Sequence, residues 1–140
     1  MTASKYNSEG YYDPTTYEAL SRIEREERAA RYRPLVYICS PYSHGCINTN
    51  IENARKYSRF AVNRHCLPIT PHIYFTQFMD DTVSEERETA IFMNLVLMSK
   101  RTELWVFGDT ISAGMKAEIE RAERKHMKIR YFTEELEEKK

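Results

Sequence analysis

Neither sign of charge dominates this sequence. Its 21 lysine and arginine residues are matched by 21 aspartate and glutamate residues, so the formal net charge is zero. Such a chain has no general attraction for a polyanion or an anionic bilayer, and neither nucleic acid nor a membrane is expected as its partner. Long hydrophobic runs are also missing. The apolar stretch around Leu95 to Met98 falls far short of the roughly 20 residues that cross a bilayer. The start, Met1-Thr2-Ala3-Ser4-Lys5-Tyr6, lacks the apolar segment of an export signal. Cysteine is scarce and odd in number. Cys39, Cys46 and Cys66 form no CxxC pair and no zinc-ligand pattern with histidine. That argues against a disulfide framework and against a zinc site. The expectation is reduced thiols in a cytoplasmic protein, with no metal and no cofactor. Cys39 lies in an apolar run and reads as packing. The phosphate-binding pattern GK[ST] and the dinucleotide pattern GxGxxG are absent, and there is no internal repeat.

What remains is one domain's worth of chain. A length of 140 residues with 41% hydrophobic composition suffices for a core without disulfides or metal. Residues 1–33 stand apart. They are rich in tyrosine, charge and turn formers such as Glu9-Gly10-Tyr11-Tyr12-Asp13-Pro14. The spacing predicts a charged helix over Thr16 to Tyr32 with a thin apolar stripe of Tyr17, Leu20, Ile23 and Ala30. This arm either lies solvated on the domain or packs on a partner subunit. Pro34 ends it.

From residue 34 to residue 140 strands and helices alternate. The run Leu35-Val36-Tyr37-Ile38-Cys39-Ser40 fits a strand covered on both faces. A loop from Pro41 to Asn48 follows. Thr49-Asn50-Ile51-Glu52 has capping-box spacing, and a helix is expected from Asn50 to about Arg64. Leu67 to Thr70 reads as a second strand and Pro71 to Asp81 as an aromatic-rich loop. A helix over Ser84 to Lys100 and a strand over Glu103 to Phe107 come next. Ser112 is placed to cap a helix running to His126, with Met115, Ile119 and Ala122 facing inward. Lys128 to Phe132 is a fourth strand, and Thr133 is expected to cap a short acidic tail helix. This alternation implies α/β architecture with a parallel sheet of about four strands, in the order 2-1-3-4. The order then reverses between the first and third strands, where open sheets of this kind bind ligands beyond the carboxyl ends of the strands.

Two loops border that crevice. Ser40-Pro41-Tyr42-Ser43-His44-Gly45 offers hydroxyls, an imidazole and a glycine; it is either a polar turn or part of a binding site. Gly108-Asp109-Thr110-Ile111-Ser112-Ala113-Gly114-Met115 runs into a helix N-terminus, whose free N–H groups and dipole favour an anion. Ser112 serves there as a cap, as a ligand contact, or as both. Glu118 falls at the edge of the apolar face of that helix, about 40° from Ala122 at ~100° per residue. It is either a surface carboxylate near a helix N-terminus or a partly desolvated nucleophile or base. Asn94 is the one polar residue between Ala90 and Met98, and its amide must bond either core backbone or the site. His72 and Tyr74 follow the second strand and could reach the same rim. His65 and His126 lie at helix ends, and Asp80-Asp81 reads as a turn.

Taken together, Val36-Tyr37-Ile38-Cys39-Ser40-Pro41, Glu103-Leu104-Trp105-Val106-Phe107 and Ser112-Ala113-Gly114-Met115-Lys116-Ala117-Glu118-Ile119 resemble the nucleoside 2-deoxyribosyltransferase-like superfamily. That superfamily includes the deoxynucleoside 5′-monophosphate N-glycosidases. The likeness covers roughly residues 35–132, and it is narrowest to small phage- and prophage-encoded proteins. The resemblance implies a three-layer, Rossmann- or flavodoxin-like domain acting on a nucleoside or nucleotide. It implies that Glu118 attacks C1′ of the sugar, that Tyr37 orients Glu118, and that Ser40 and Ser112 hold the sugar or 5′-phosphate. His44 stands nearest the position of the family's phosphate-gripping arginine. Asn94 stands where the family carries an aspartic acid that assists the leaving base, and an amide does not donate a proton as a carboxylic acid does. Two activities follow as expectations: an N-glycosidic-bond hydrolase or transferase, or a nucleotide-binding protein without turnover. The resemblance also implies a homodimer or larger assembly.

Overall fold

A computed structural model describes residues 14–100 and 102–140. The turn-rich start and the tyrosines Tyr6, Tyr11 and Tyr12 lie outside the described residues. The chain divides into two units, residues 1–33 and residues 34–140. Within the first, α1 (Pro14–Arg31) is a charged helix whose last turn carries Arg28 and Arg31, the sign that suits a helix C-terminus. Its thin stripe includes Leu20 and Ile23, both about half exposed.

The second unit runs β1 (Leu35–Cys39), α2 (Ile47–Asn63), β2 (Leu67–Ile69), α3 (Pro71–Tyr74), a 3-10 turn at Phe75–Gln77, α4 (Ser84–Met98), β3 (Glu103–Phe107), α5 (Ala113–Arg124) and β4 (Ile129–Phe132). The strands form one sheet in the order β2-β1-β3-β4. All three pairings are parallel, with Tyr37 opposite Leu104 and Val106 opposite Tyr131. The order expected from the alternation of elements is the order observed. Because successive side chains of a strand face opposite ways, each central strand feeds two cores. Val36, Ile38, Trp105 and Phe107 pack with Phe132 and with Tyr57 and Ala61 of α2. Phe107 stacks on Tyr57 at 4.2 Å between ring centres and on Phe132 at 5.0 Å. On the other face Tyr37, Cys39, Leu104 and Val106 meet Met98 of α4 and Met115 and Ala122 of α5. The result is three layers: α2, the sheet, then α4 with α5. Among the described residues no helix is long and apolar enough to cross a membrane.

Three local expectations are corrected. First, α2 starts at Ile47, not Asn50. Cys46 takes the N-cap position without a side-chain cap, and the Asn50 amide instead donates to the carbonyls of Tyr42 and His44 at 2.7 Å each. The apparent capping box therefore lies inside the first turns of the helix. Second, the segment after β2 is not wholly a loop. Pro71 opens the short α3, its fixed φ suiting the first turn of a helix. Third, no helix follows Thr133. The chain turns back, the Lys139 N–H bonds the Tyr131 carbonyl at 2.8 Å, and Glu138 pairs with Phe132 in antiparallel fashion. Leu136 packs against the α2-side core and Arg130 binds the Glu138 carboxylate, contacts that a helix running onward would not make.

Candidate functional site

The carboxyl ends of β1, β2 and β3 open on one edge of the sheet, and the loops that leave them build the site. Strand alternation sends Tyr37 and Cys39 toward α5. The apolar stripe of α5 inserts Met115 and Ala122 into that core, with Ile119 packed against it, and this sets the rotation of the helix. Glu118 then lies at the stripe's edge, partly buried, with its carboxylate against β1. The Tyr37 hydroxyl donates to Glu118 Oε1 at 3.2 Å. Burial pushes the Glu118 carboxyl up from the usual 4.5 to about 7, although hydrogen bonds from Cys39 and Tyr37 pull it down. Burial, then the neighbouring Glu118 charge, holds the Tyr37 hydroxyl well above its usual range, so it stays a donor. The Cys39 thiol is likewise raised, by burial first and by Glu118 second. It is inert as a nucleophile, and it also approaches the Met115 carbonyl at 3.9 Å. The packing role expected for Cys39 is observed; its contact with the carboxylate is an addition that the strand pattern did not suggest.

A second polar pair stands at the mouth of β1. Ser40 Oγ lies 3.0 Å from His72 Nε2. Burial lowers the His72 pKa to about 4, so the ring is neutral at neutral pH. Tyr42 meets it edge-on at 6.5 Å.

Beside this pair lies a crevice lined by Ser40 and Pro41 from the β1 loop, Asn50, Asn53 and Tyr57 from α2, Phe107, Gly108 and Thr110 from the end of β3, and Glu134 from the tail. It sits between β1 and β3, where the strand order reverses and where such sheets hold ligands. Gly108 adopts φ +93, which favours glycine, and the space beside its Cα is bordered by the Glu134 side chain.

The other predicted site residues fall in different places. Ser43, His44 and Gly45 are exposed in the β1 loop and do not line the crevice; Gly45 has φ +84. Asp109 is exposed and paired with Lys139 at 2.9 Å. Ser112 caps α5 by accepting the Met115 N–H at 3.3 Å. Gly114 is exposed in the first turn of that helix, whereas the Met115 side chain is buried in the core. On α4, Asn94 Oδ1 is buried with no hydrogen-bond partner among the described residues. Such an orphan acceptor costs roughly 1–3 kcal/mol. Among the described residues no group of three or more His, Cys, Asp or Glu side chains could hold a metal ion.

Sequence reasoning missed Asn50, Asn53, Tyr57, Thr110 and Glu134. Thr110 lay inside a loop already singled out. Asn50, Asn53 and Tyr57 lay within the expected helix, but its seating against the β1 loop and the end of β3 is a long-range contact, and Glu134 needed the turn in the tail. No curated protein and no solved structure matches the chain. A family model, Domain of unknown function (DUF7768), matches residues 34–132, the whole sheet with α2 to α5, and the chain belongs to that family.

Proposed function

We propose that this protein cleaves the N-glycosidic bond of a nucleoside or nucleotide, with Glu118 as the nucleophile. The observation that carries this reading is the Tyr37–Glu118 pair: a carboxyl held near pKa 7 and fixed by a buried hydroxyl, in the layer between β1 and α5. A free carboxylate in water is a weak nucleophile because its hydration must be shed. Partial burial has already removed part of that shell, and the Tyr37 hydroxyl fixes one oxygen so that the other is aimed. In the first step a Glu118 oxygen bonds to C1′ and the C1′–N bond breaks. Its electron pair leaves with the base, which takes up a proton. In the second step water or another base attacks C1′, releases Glu118 and completes a hydrolase or a transferase cycle. Only the ionised carboxylate attacks, so kcat/KM is expected to rise with pH through about 7.

One observation favours a second reading, a nucleotide-binding protein without turnover. Asn94 is an amide where the resemblance places an acid, and general acid help is worth 10²–10⁴-fold. Incubation of the protein with a panel of nucleosides and nucleotides, followed by chromatography of free base, tests both. Base release supports the enzyme. Tight binding with no release supports the binder, and neither binding nor release removes the proposal.

A further inference from the structure

Helix α4 is apolar on two sides. Leu95, Leu97 and Met98 pack against the α5-side core, while Ile91, Phe92 and Val96 are exposed. A helix that is apolar all round is a buried helix, so the outer face of α4 lacks a cover in the single chain. Phe92 and Val96 stand one turn apart on that face. Glu85 and Glu86 lie in its first turn, and Lys100 follows its end. Helix α1 carries the complement. Its stripe presents Leu20 and Ile23, both about half exposed, and its last turn carries Arg28 and Arg31. The spacings agree when the two helices run antiparallel. Leu20 to Arg31 is eleven residues and Val96 back to Glu85 is eleven, about 16 Å and three turns in each. With Leu20 set against Val96, Ile23 meets Phe92 and Arg31 meets Glu85. Glu27, the acid within the stripe, falls opposite Thr89. A parallel pairing would instead bring Arg28 and Arg31 beside Lys100.

The chain's own linker is too short for the antiparallel pairing. The Tyr32 N–H still bonds the Ala29 carbonyl at 3.3 Å, and the Leu67 N–H holds the Pro34 carbonyl at 2.8 Å, where β2 begins. Between Tyr32 and Pro34 the chain spans two Cα steps, about 8 Å at most. The strands are parallel, so α4 runs from the carboxyl edge of the sheet, after β2, to the amino edge, before β3. Its 15 residues rise about 22 Å, and Glu85 stands at the end far from the start of β1. A link of about 8 Å does not carry Arg31 there; a second copy does. We propose that two copies of this chain exchange their arms, with α1 of each lying antiparallel on the outer face of its partner's α4. The exchange is reciprocal, so one two-fold axis closes the dimer and covers both faces in both copies.

The test is analytical ultracentrifugation of the full chain as wild type, as Arg31→Glu and as Glu85→Arg. Both positions are exposed, and circular dichroism checks that each variant keeps its helices. The wild type is expected to be a dimer. Each variant alone sets like charges against each other at both contacts, and its dimer Kd is expected to rise by about tenfold or more. In an equal mixture of the two variants, both contacts of the mixed dimer again join opposite charges, and the wild-type affinity is expected to return. A wild type that is monomeric, or that grows into open-ended assemblies, overturns the inference. So do charge variants that dimerise as well as the wild type. A mixture as weak as its components also overturns it, because a contact between the two α4 helices or between the two arms gains nothing from mixing.

Discussion

Replacing Glu118 by glutamine is expected to stabilise the protein at alkaline pH and to leave it nearly unchanged at acid pH. The carboxyl titrates at about 7 in the folded chain against a usual 4.5, so the folded state holds the proton more tightly than the unfolded chain does. The stability contributed by the neutral carboxyl is therefore whole below about pH 4.5 and is lost as pH rises toward 7. Above 7 the folded state carries the full cost of a partly buried charge. At about 1.4 kcal/mol for each pH unit between the two values, that cost is about 3 kcal/mol. Glutamine has the same shape, does not ionise, and keeps an oxygen to accept the Tyr37 hydroxyl. Guanidinium unfolding of both proteins at pH 5 and pH 8.5 measures the difference. The variant should gain about 3 kcal/mol at pH 8.5, on the order of 10 °C in melting temperature, and much less at pH 5. A difference that does not vary with pH would show that the Glu118 carboxyl is not held out of water, and the activation argued for it would fail.

Tyr37→Phe is expected to lower kcat by about tenfold with little change in KM, because the lost hydroxyl orients the nucleophile. Its hydrogen bond also pulls the Glu118 pKa down, so the midpoint of the pH–rate profile should move above 7; a change in KM alone would make Tyr37 a binding residue. Asn94→Asp supplies a carboxyl that can donate a proton and is expected to speed base release by about tenfold or more. A variant that binds ligand and releases base no faster would separate Asn94 from the chemistry. The full chain is expected to be a homodimer by light scattering, and a chain lacking residues 1–33 a monomer. A dimer that survives the truncation would shift the contact to another surface, such as α4, where Ile91, Phe92 and Val96 are exposed.

The parts of this molecule legible in its sequence are those set by local pattern. The apolar runs at Leu35–Cys39 and Glu103–Phe107 read as central strands because both faces are buried, and the strand order followed from the alternation of strands and helices. Glu118 was legible for a similar reason, since helical geometry put it on the edge of the Met115–Ala122 stripe. Contacts between distant segments were not legible. Asn50 forgoes any capping role because it closes the β1 loop through the Tyr42 and His44 carbonyls. Glu134 reaches the crevice only because the tail turns back under Leu136 and Lys139. Its acidic surroundings, Glu134-Glu135-Leu136-Glu137-Glu138, read as a solvated helix when taken alone. His72 looked like a rim residue, and what it does there depends on the Ser40 hydroxyl 32 positions away.

The central claim is that the Glu118 carboxylate performs the displacement at C1′. Its most direct test is the single-turnover rate of base release by Glu118→Ala beside wild type, on a nucleoside that both proteins bind. The account predicts release from the wild type and none above background from the variant, with affinity for the intact nucleoside kept. Release at the wild-type rate by Glu118→Ala would contradict it.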